Sequence, residues 1–245
     1  MSESLRRGLR VLAALSDEPA TASRIAESHG VSLSTAVRLL QLLTEEGFAR
    51  RDETGKYHVG SQLLQVAYHV VASMDVREMA APILRELNTQ TGQTVHLGYF
   101  ENPTVLYVDK YAGRSAVQMY SQIGMPAPLH CTAMGKAVAA FLPEAERIAL
   151  AGSLDYRMST DRTITNAEDY LRELDTVRQQ GYALNLGEHE AVVSAIAAPV
   201  KQPDGRVQYA IDLAAPNVVV GEDELRAFVP RVLAAAADIE RVLGY

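Results

Sequence analysis

Apolar residues recur at three- and four-residue spacing from the start of the chain. Leu5, Leu9, Leu12 and Leu15 share one helical face, and Asp17-Glu18-Pro19 ends the run. A short second helix is predicted after Thr21, a suitable N-cap, with Ile25 and Ala26 facing inward and Gly30 where a left-handed residue closes a helix. A third covers residues 34–43 and closes at Gly47. Its Ala36, Leu40 and Leu43 form an inner face, while Ser34, Arg38, Gln41 and Glu45 fall on the opposite one. Helix, tight glycine turn, helix is the pattern of a helix-turn-helix. Residues 48–59 then show two short extended runs around a polar turn containing Gly55, which predicts a β-hairpin.

Leu63, Leu64, Ala67, Tyr68 and Val71 mark a further helical run, from Gly60-Ser61 to about Met74, that is apolar on more than one side. A helix too apolar for solvent is expected to bury itself against another chain. Beyond it the pattern predicts a helix over residues 75–89 and strands over 94–99, 105–109 and 115–119. A helical middle follows, then strands over 182–184, 192–200 and 207–213, the last two joined by the turn Pro203-Asp204-Gly205. The closing helical stretch, 222–243, should be interrupted at Pro230. Six strands with helices before, between and after them make an α+β domain. The expected organisation is a DNA-binding domain at 1–60, a linker helix at 61–74 and a sheet domain at 75–245.

Composition changes this picture little: of 245 residues, 48% are hydrophobic and 22% charged, as in an ordinary globular protein. The single cysteine, Cys131, excludes an intrachain disulfide and a Cys-rich zinc site, and points to a reducing cytoplasm. Neither a signal peptide nor a membrane span is expected, since no apolar run is long enough and the N-terminal one lacks a cleavage site. Charge is more informative. The net −7 argues against nucleic acid, yet residues 1–60 balance eight cations against eight anions and the rest carries the whole deficit. On the third helix, Ser34, Thr35 and Arg38 stand at the N-terminal end, the end that enters a major groove. Arg24 on the second helix, and Arg50, Arg51 and Lys56 on the hairpin, are candidates for backbone phosphates. The rival reading is a winged helix that recognises protein, which predicts no salt-dependent affinity for DNA.

In the larger domain the richest stretch is residues 124–137. Gly135-Lys136 is not a Walker loop, because His130 and Ala137 stand where glycine and Ser/Thr are required. His130-Cys131 is read as structural, and Glu188-His189-Glu190, which lacks a second histidine four residues on, as a solvated loop. Thr132 can cap a helix running through Phe141, leaving the amides of Ala133, Met134 and Gly135 for an anion, or it is simply a capped helix. An enzyme built on His130, Cys131 and Lys136, with the winged helix as accessory, is the competing class, and it predicts turnover that depends on Cys131.

These residues resemble the isocitrate lyase regulator (IclR) family of bacterial transcription factors. The resemblance rests on Ile25-Ala26, Gly30, Ser34-Thr35, Arg38-Leu39-Leu40, Leu43 and Gly47 in the reader. In the larger domain it rests on Gly124, Leu129-His130-Cys131-Thr132-Ala133, Gly135-Lys136-Ala137, Gly181-Tyr182-Ala183, Glu188 and Ile196-Ala197-Ala198-Pro199-Val200. It implies a winged helix-turn-helix joined by a linker helix to a GAF-like α/β effector-binding domain, working on an operator as a homodimer and often a homotetramer, without cofactor and without enzymatic activity; some members hold a metal, but Val192 and Ala195 stand where the family often has glycine and cysteine, so no metal is expected here. By motif position the effector pocket would include Met119, Ala133, Met134, Gly135, Asn185, Ala195, Asp212 and Ala214. Asp212 stands where the family commonly has a small hydroxyl residue: either it meets the effector, which favours one carrying an amine, amide, hydrazide or hydroxyl beside an acid and disfavours a dicarboxylate, or it is satisfied by Tyr, Arg or backbone partners within the protein. Repression of a catabolic operon, released by effector, is the expected sign of control, with activation as the alternative.

Overall fold

The computed structural model describes residues 3–72, 75–101, 103–116 and 120–244. The chain divides into two compact units, Met1–Met74 and Asp75–Tyr245. In the first, α1 (Glu3–Asp17), α2 (Ala22–Ser28) and α3 (Leu33–Glu45) are followed by a hairpin of β1 (Ala49–Arg51) and β2 (Tyr57–Val59) and by α4 (Gln62–Ala72). Its core gathers Val11, Leu15, Ala20, Ile25, Ala36, Leu39, Leu40, Ala49 and Tyr57. The face expected for α1 is therefore only half used. Leu15 is buried, Val11 takes the place of Leu9, and Leu5 and Leu9 are 60% and 59% exposed. The buried stripe of α1 is turned away from the expected face: it runs through Val11 and Leu15, and Leu5 and Leu9 fall outside it. Thr21 Oγ1 accepts from Arg24 N and Ser32 Oγ from Thr35 N, so both helices of the pair are capped. Gly30 and Gly47 hold φ of 62° and 76°, which a Cβ would resist. On α4, Leu64 is 74% exposed.

The second unit opens with α5 (Asp75–Thr91), β3 (Thr94–Glu101), β4 (Thr104–Tyr111) and β5 (Pro126–Ala127). It continues through α6 (Ala133–Ala139), α7 (Glu144–Ser153) and α8 (Ala167–Gln180) to β6 (Ala183–Leu186), β7 (Val193–Lys201) and β8 (Val207–Pro216). It ends in α9 (Glu222–Ala227) and α10 (Val229–Val242). Pro230 sits in the first turn of α10 and separates the last two helices. The sheet is antiparallel throughout, in the order β5-β4-β3-β8-β7-β6.

Of the strand expected over 115–119 only the first two residues are among those described. Ser115 and Ala116 lie in a bend and residues 117–119 are outside the described residues. The edge of β4 is taken by residues 124–127: Gly124 N donates to Tyr107 O, Tyr107 N to Met125 O, and Pro126 and Ala127 pair with Leu106 and Val105.

Residues opposed in an antiparallel ladder point to the same side. His96, Asp212, Ala197 and Ala183 thus form one row across the sheet, and Ala214, Ala195 and Asn185 the next. The alanines let α6 lie close on this face, every residue of it buried. The opposite face carries Val95, Leu97, Ile211, Leu213 and Ile196, with α5 and α10 lying against the sheet.

Candidate nucleic-acid interface and effector cleft

On the first unit, α3 turns Ser34, Arg38, Gln41 and Glu45 outward above the buried Ala36, Leu39 and Leu40. Arg38 is exposed and forms no hydrogen bond or ion pair among the described residues. Ser34 and Thr35 share the cap: Ser32 Oγ lies 3.0 Å from Ser34 Oγ and 2.8 Å from Thr35 Oγ1. Arg24 is ion-paired with Glu18. In the hairpin Arg50 and Lys56 are exposed, whereas Arg51 folds back, its guanidinium 5.5 Å from the centre of the Tyr57 ring and its Nε donating to Gly55 O at 3.4 Å. Asp52 fixes the turn. It accepts from Thr54 N, Thr54 Oγ1 and Lys56 N at 2.9, 2.7 and 3.0 Å and pairs with His58 Nε2 at 2.6 Å. The His58 bond, more than any other contact, holds the Asp52 carboxyl far below the usual carboxylate range.

On the second unit a cleft opens at the alanine-rich face, between the sheet and the start of α6. Ala133, Asn185, Ala195, Asp212 and Ala214 line it together with His96, Tyr107, Ser121, His189 and Glu190. The free space amounts to about 40 Å³, room for only a few waters. Asp212 Oδ1 lies 2.6 Å from His96 Nδ1, and His96 Nε2 lies 2.7 Å from Ser121 Oγ. The His96 and Tyr107 rings pack at 4.8 Å, and burial pushes the Tyr107 phenol well above its ordinary range, helped by the Asp212 charge.

Behind the cleft lies a buried cation. Lys136 Nζ is 2.7 and 2.9 Å from the two oxygens of Glu188 and 3.0 Å from Glu173 Oε1, and its side chain is 1% exposed. The 188–190 segment is therefore only partly solvated: Glu188 is the counter-ion of Lys136 and His189 lines the cleft, while Glu190, also at the cleft, is exposed. Burial raises the Glu188 carboxyl above its ordinary range, with Lys136 pulling it back. Burial also lowers His189, against Glu190. Cys131 Sγ is 3.7 Å from His189 Nδ1, but burial pushes the thiol up to about 12, which leaves almost no thiolate near neutral pH. His130 Nε2 lies 3.1 Å from Arg157 O. A mechanism carried by Cys131 has no support in this geometry.

The IclR helix-turn-helix domain model matches residues 4–53, and the model of the bacterial transcriptional regulator IclR C-terminal domain matches residues 68–241. The chain belongs to the IclR family. This regulator is 36% identical over 247 residues to the HTH-type transcriptional regulator XynR of Escherichia coli K12, covering 99% of this chain and 98% of that protein. It is 28% identical over 246 residues to the HTH-type transcriptional repressor AllR of Salmonella paratyphi A, covering 99% and 90%. An IclR transcriptional regulator from Alicyclobacillus acidocaldarius superimposes on it with a TM-score of 0.83 at 26% identity, covering 100% of both chains.

As an IclR-family regulator the chain departs from what its sequence predicts at identifiable points. Met134 and Gly135 do not line the cleft. The Met134 sulfur packs so closely under Gly98 that a Cβ there would lie 1.9 Å from it. The Gly135 amide is not free for an anion, because Thr132 Oγ1 accepts it at 3.0 Å. Met119 lies outside the described residues. His96, Tyr107, Ser121, His189 and Glu190 join the cleft without having been expected there. A histidine in the otherwise apolar run Val95 to Leu97 is the one visible signal for them in the sequence. Among the described residues no helix is long and apolar enough to cross a membrane.

Proposed function

We propose that this regulator is a cytoplasmic repressor that a small organic effector releases from its operator. Its reader is residues 1–60, its linker helix 61–74 and its effector domain 75–245. Ser34, Thr35 and Arg38 meet base edges, and Arg50 and Lys56 meet phosphates. Arg24 and Arg51 join them only by leaving Glu18 and Tyr57, so their share is smaller. Leu5, Leu9 and Leu64, exposed on α1 and α4, are covered by a second copy of the chain in a homodimer, which pairs again into a tetramer.

The observation that carries the proposal is the cleft: rich in polar side chains and nearly filled, it cannot take an organic acid without rearranging. Binding is thereby tied to a change of conformation, and only a ligand with different affinity for two states shifts their balance. Ala133, Asn185, Ala195, Asp212 and Ala214 bound the effector. Asp212 and Glu190 disfavour a dicarboxylate, while a hydroxyl, amide or hydrazide finds acceptors. The name of AllR supports the repressor sign.

The test is a gel shift on the intergenic DNA upstream of the regulator's own gene, with and without metabolites of the neighbouring genes. A specific complex is expected, weakened about 5–150-fold by one metabolite, the span of a coupling near 1–3 kcal/mol. Tightening by the metabolite would make the protein an activator. Absence of any preferred site at moderate salt removes the proposal.

A further inference from the structure

Ser121, His96 and Asp212 form a relay that binding an effector does not require. The carboxylate lies 2.6 Å from Nδ1 of the imidazole and the hydroxyl 2.7 Å from Nε2. His96 and Asp212 are cross-strand partners on β3 and β8 and both are buried, so the sheet itself sets their spacing. Tyr107 braces the ring from the side. Ser121 completes the relay from the segment between β4 and β5, its carbonyl held at 2.5 Å by Nζ of Lys110, the residue paired with His96 on β4.

All three side chains line the cleft. A hydroxyl bonded to an imidazole that a third group orients is the arrangement that activates a weak nucleophile. Neighbouring nucleophiles are disqualified. The Cys131 thiol is pushed up to about 12, and Thr132 Oγ1 is committed to Pro128 O and to the Gly135 amide.

We propose that the cleft hydrolyses a small carboxylic ester, open-chain or lactone, with Ser121 as nucleophile, His96 as general base and acid, and Asp212 as the positioning residue. Ser121 Oγ bonds to the ester carbonyl carbon as its proton passes to His96 Nε2. The bond from that carbon to the alcohol oxygen breaks, the departing oxygen takes the proton from His96, and an acyl group is left on Ser121. Water gives a proton to His96 and attacks the acyl carbon; Ser121 Oγ leaves and recovers the proton. The products are one acid and one alcohol, or a single hydroxy acid from a lactone.

Asp212 Oδ1, 2.6 Å from Nδ1, accepts from Nδ1–H throughout, which leaves Nε2 free to take the serine proton. The free space of about 40 Å³ limits the acyl group to about the size of acetyl unless the cleft widens. General base catalysis alone supplies about 10²–10⁴-fold, so slow turnover with a trappable acyl-protein is expected. The acid is released into the cleft assigned above to the effector, so the regulator would make from an ester the acid it senses.

The test treats the full-length protein with p-nitrophenyl acetate, then maps acetyl groups by digestion and mass spectrometry; a fluorophosphonate serves as a second probe. Both are expected on Ser121 of the wild type. Labelling should vanish in Ser121→Ala and His96→Gln and slow at least about 100-fold in Asp212→Asn, which keeps the shape but offers the wrong tautomer. Asp212→Glu should restore part of the rate. Label on lysines only, or Ser121 labelling as fast in Asp212→Asn as in wild type, overturns the proposal. Where a variant fails to fold, the wild type alone decides, because a Ser121 that takes neither probe is not an activated nucleophile. Gel shifts on the unlabelled protein test the regulator separately, so the two readings fail independently.

Discussion

Lys136 shows how much one buried side chain organises. It reaches from α6 to Glu173 on α8 and to Glu188 after β6, and so fixes the segment that delivers His189 and Glu190 to the cleft. Lys136→Met strands the Glu188 carboxylate without its cation. A loss of about 3–5 kcal/mol in unfolding free energy is expected, largely recovered in Lys136→Met/Glu188→Gln, as a double-mutant cycle by urea denaturation would show. Because protonated Glu188 needs no counter-charge, the deficit of the single variant should narrow as pH falls. His189 has the opposite dependence. Burial lowers its folded value below 6.5, so on acidification the unfolded chain binds the proton first and stability is lost as pH falls through the window just below 6.5. His189→Gln should melt at a temperature that changes less than the wild type's between pH 7 and pH 5. An equal slope in both proteins would mean that His189 is not buried as a neutral ring.

At the level of elements, α6 is wedged between an alanine-rich sheet face and the chain before it. A Cβ on Gly135 would lie 2.6 Å from Leu129 Cα and 2.8 Å from Pro128 O, both backbone atoms that cannot swing away. Gly135→Ala must lift the helix, and a cost of about 1–3 kcal/mol is expected, with loss of the effector response. Denaturation and gel shifts on the same variant check both. What the sequence made legible here was local. The caps at Thr21 and Thr132, the glycine closures at Gly30 and Gly47 and the break at Pro230 depend on near neighbours, and all are found. Choices made by distant partners were not legible. Nothing local to residues 124–127 announces that they pair with the edge of β4. Leu9 looks like core until Val11 and Leu15 set the buried stripe of α1 on another face. His96 and Asp212 are separated by 116 positions and meet only through the register of β3 against β8. Glu188 reads as solvated because nothing in its neighbourhood along the chain announces Lys136.

For the molecule as a whole, the separation of charge sets how DNA can be held. The reader is neutral overall and the remainder carries the −7, so affinity cannot come from a general positive field and must come from a few placed cations. Arg50 and Lys56 are exposed on the hairpin and, unlike Arg51, are not folded back on it, which gives about four phosphate contacts in the proposed dimer. The slope of log affinity against log salt should accordingly lie near −4, at about −0.9 per contact. Lys56→Ala should flatten it by about 2 and weaken operator and random DNA alike, because both copies lose one phosphate contact. Arg38 differs in kind. It stands unpaired among the described residues on the outward face of α3, and a base contact there is worth about 1–3 kcal/mol per half-site, counted twice when half-sites one helical turn apart behave independently. Arg38→Ala should therefore cost about 2–6 kcal/mol on the operator and little on random DNA, with the salt slope unchanged. Titrations of both DNAs at three salt concentrations separate the cases. Equal losses on both, with a flatter slope, would move Arg38 from the bases to the phosphates and leave the bases to Ser34 and Thr35.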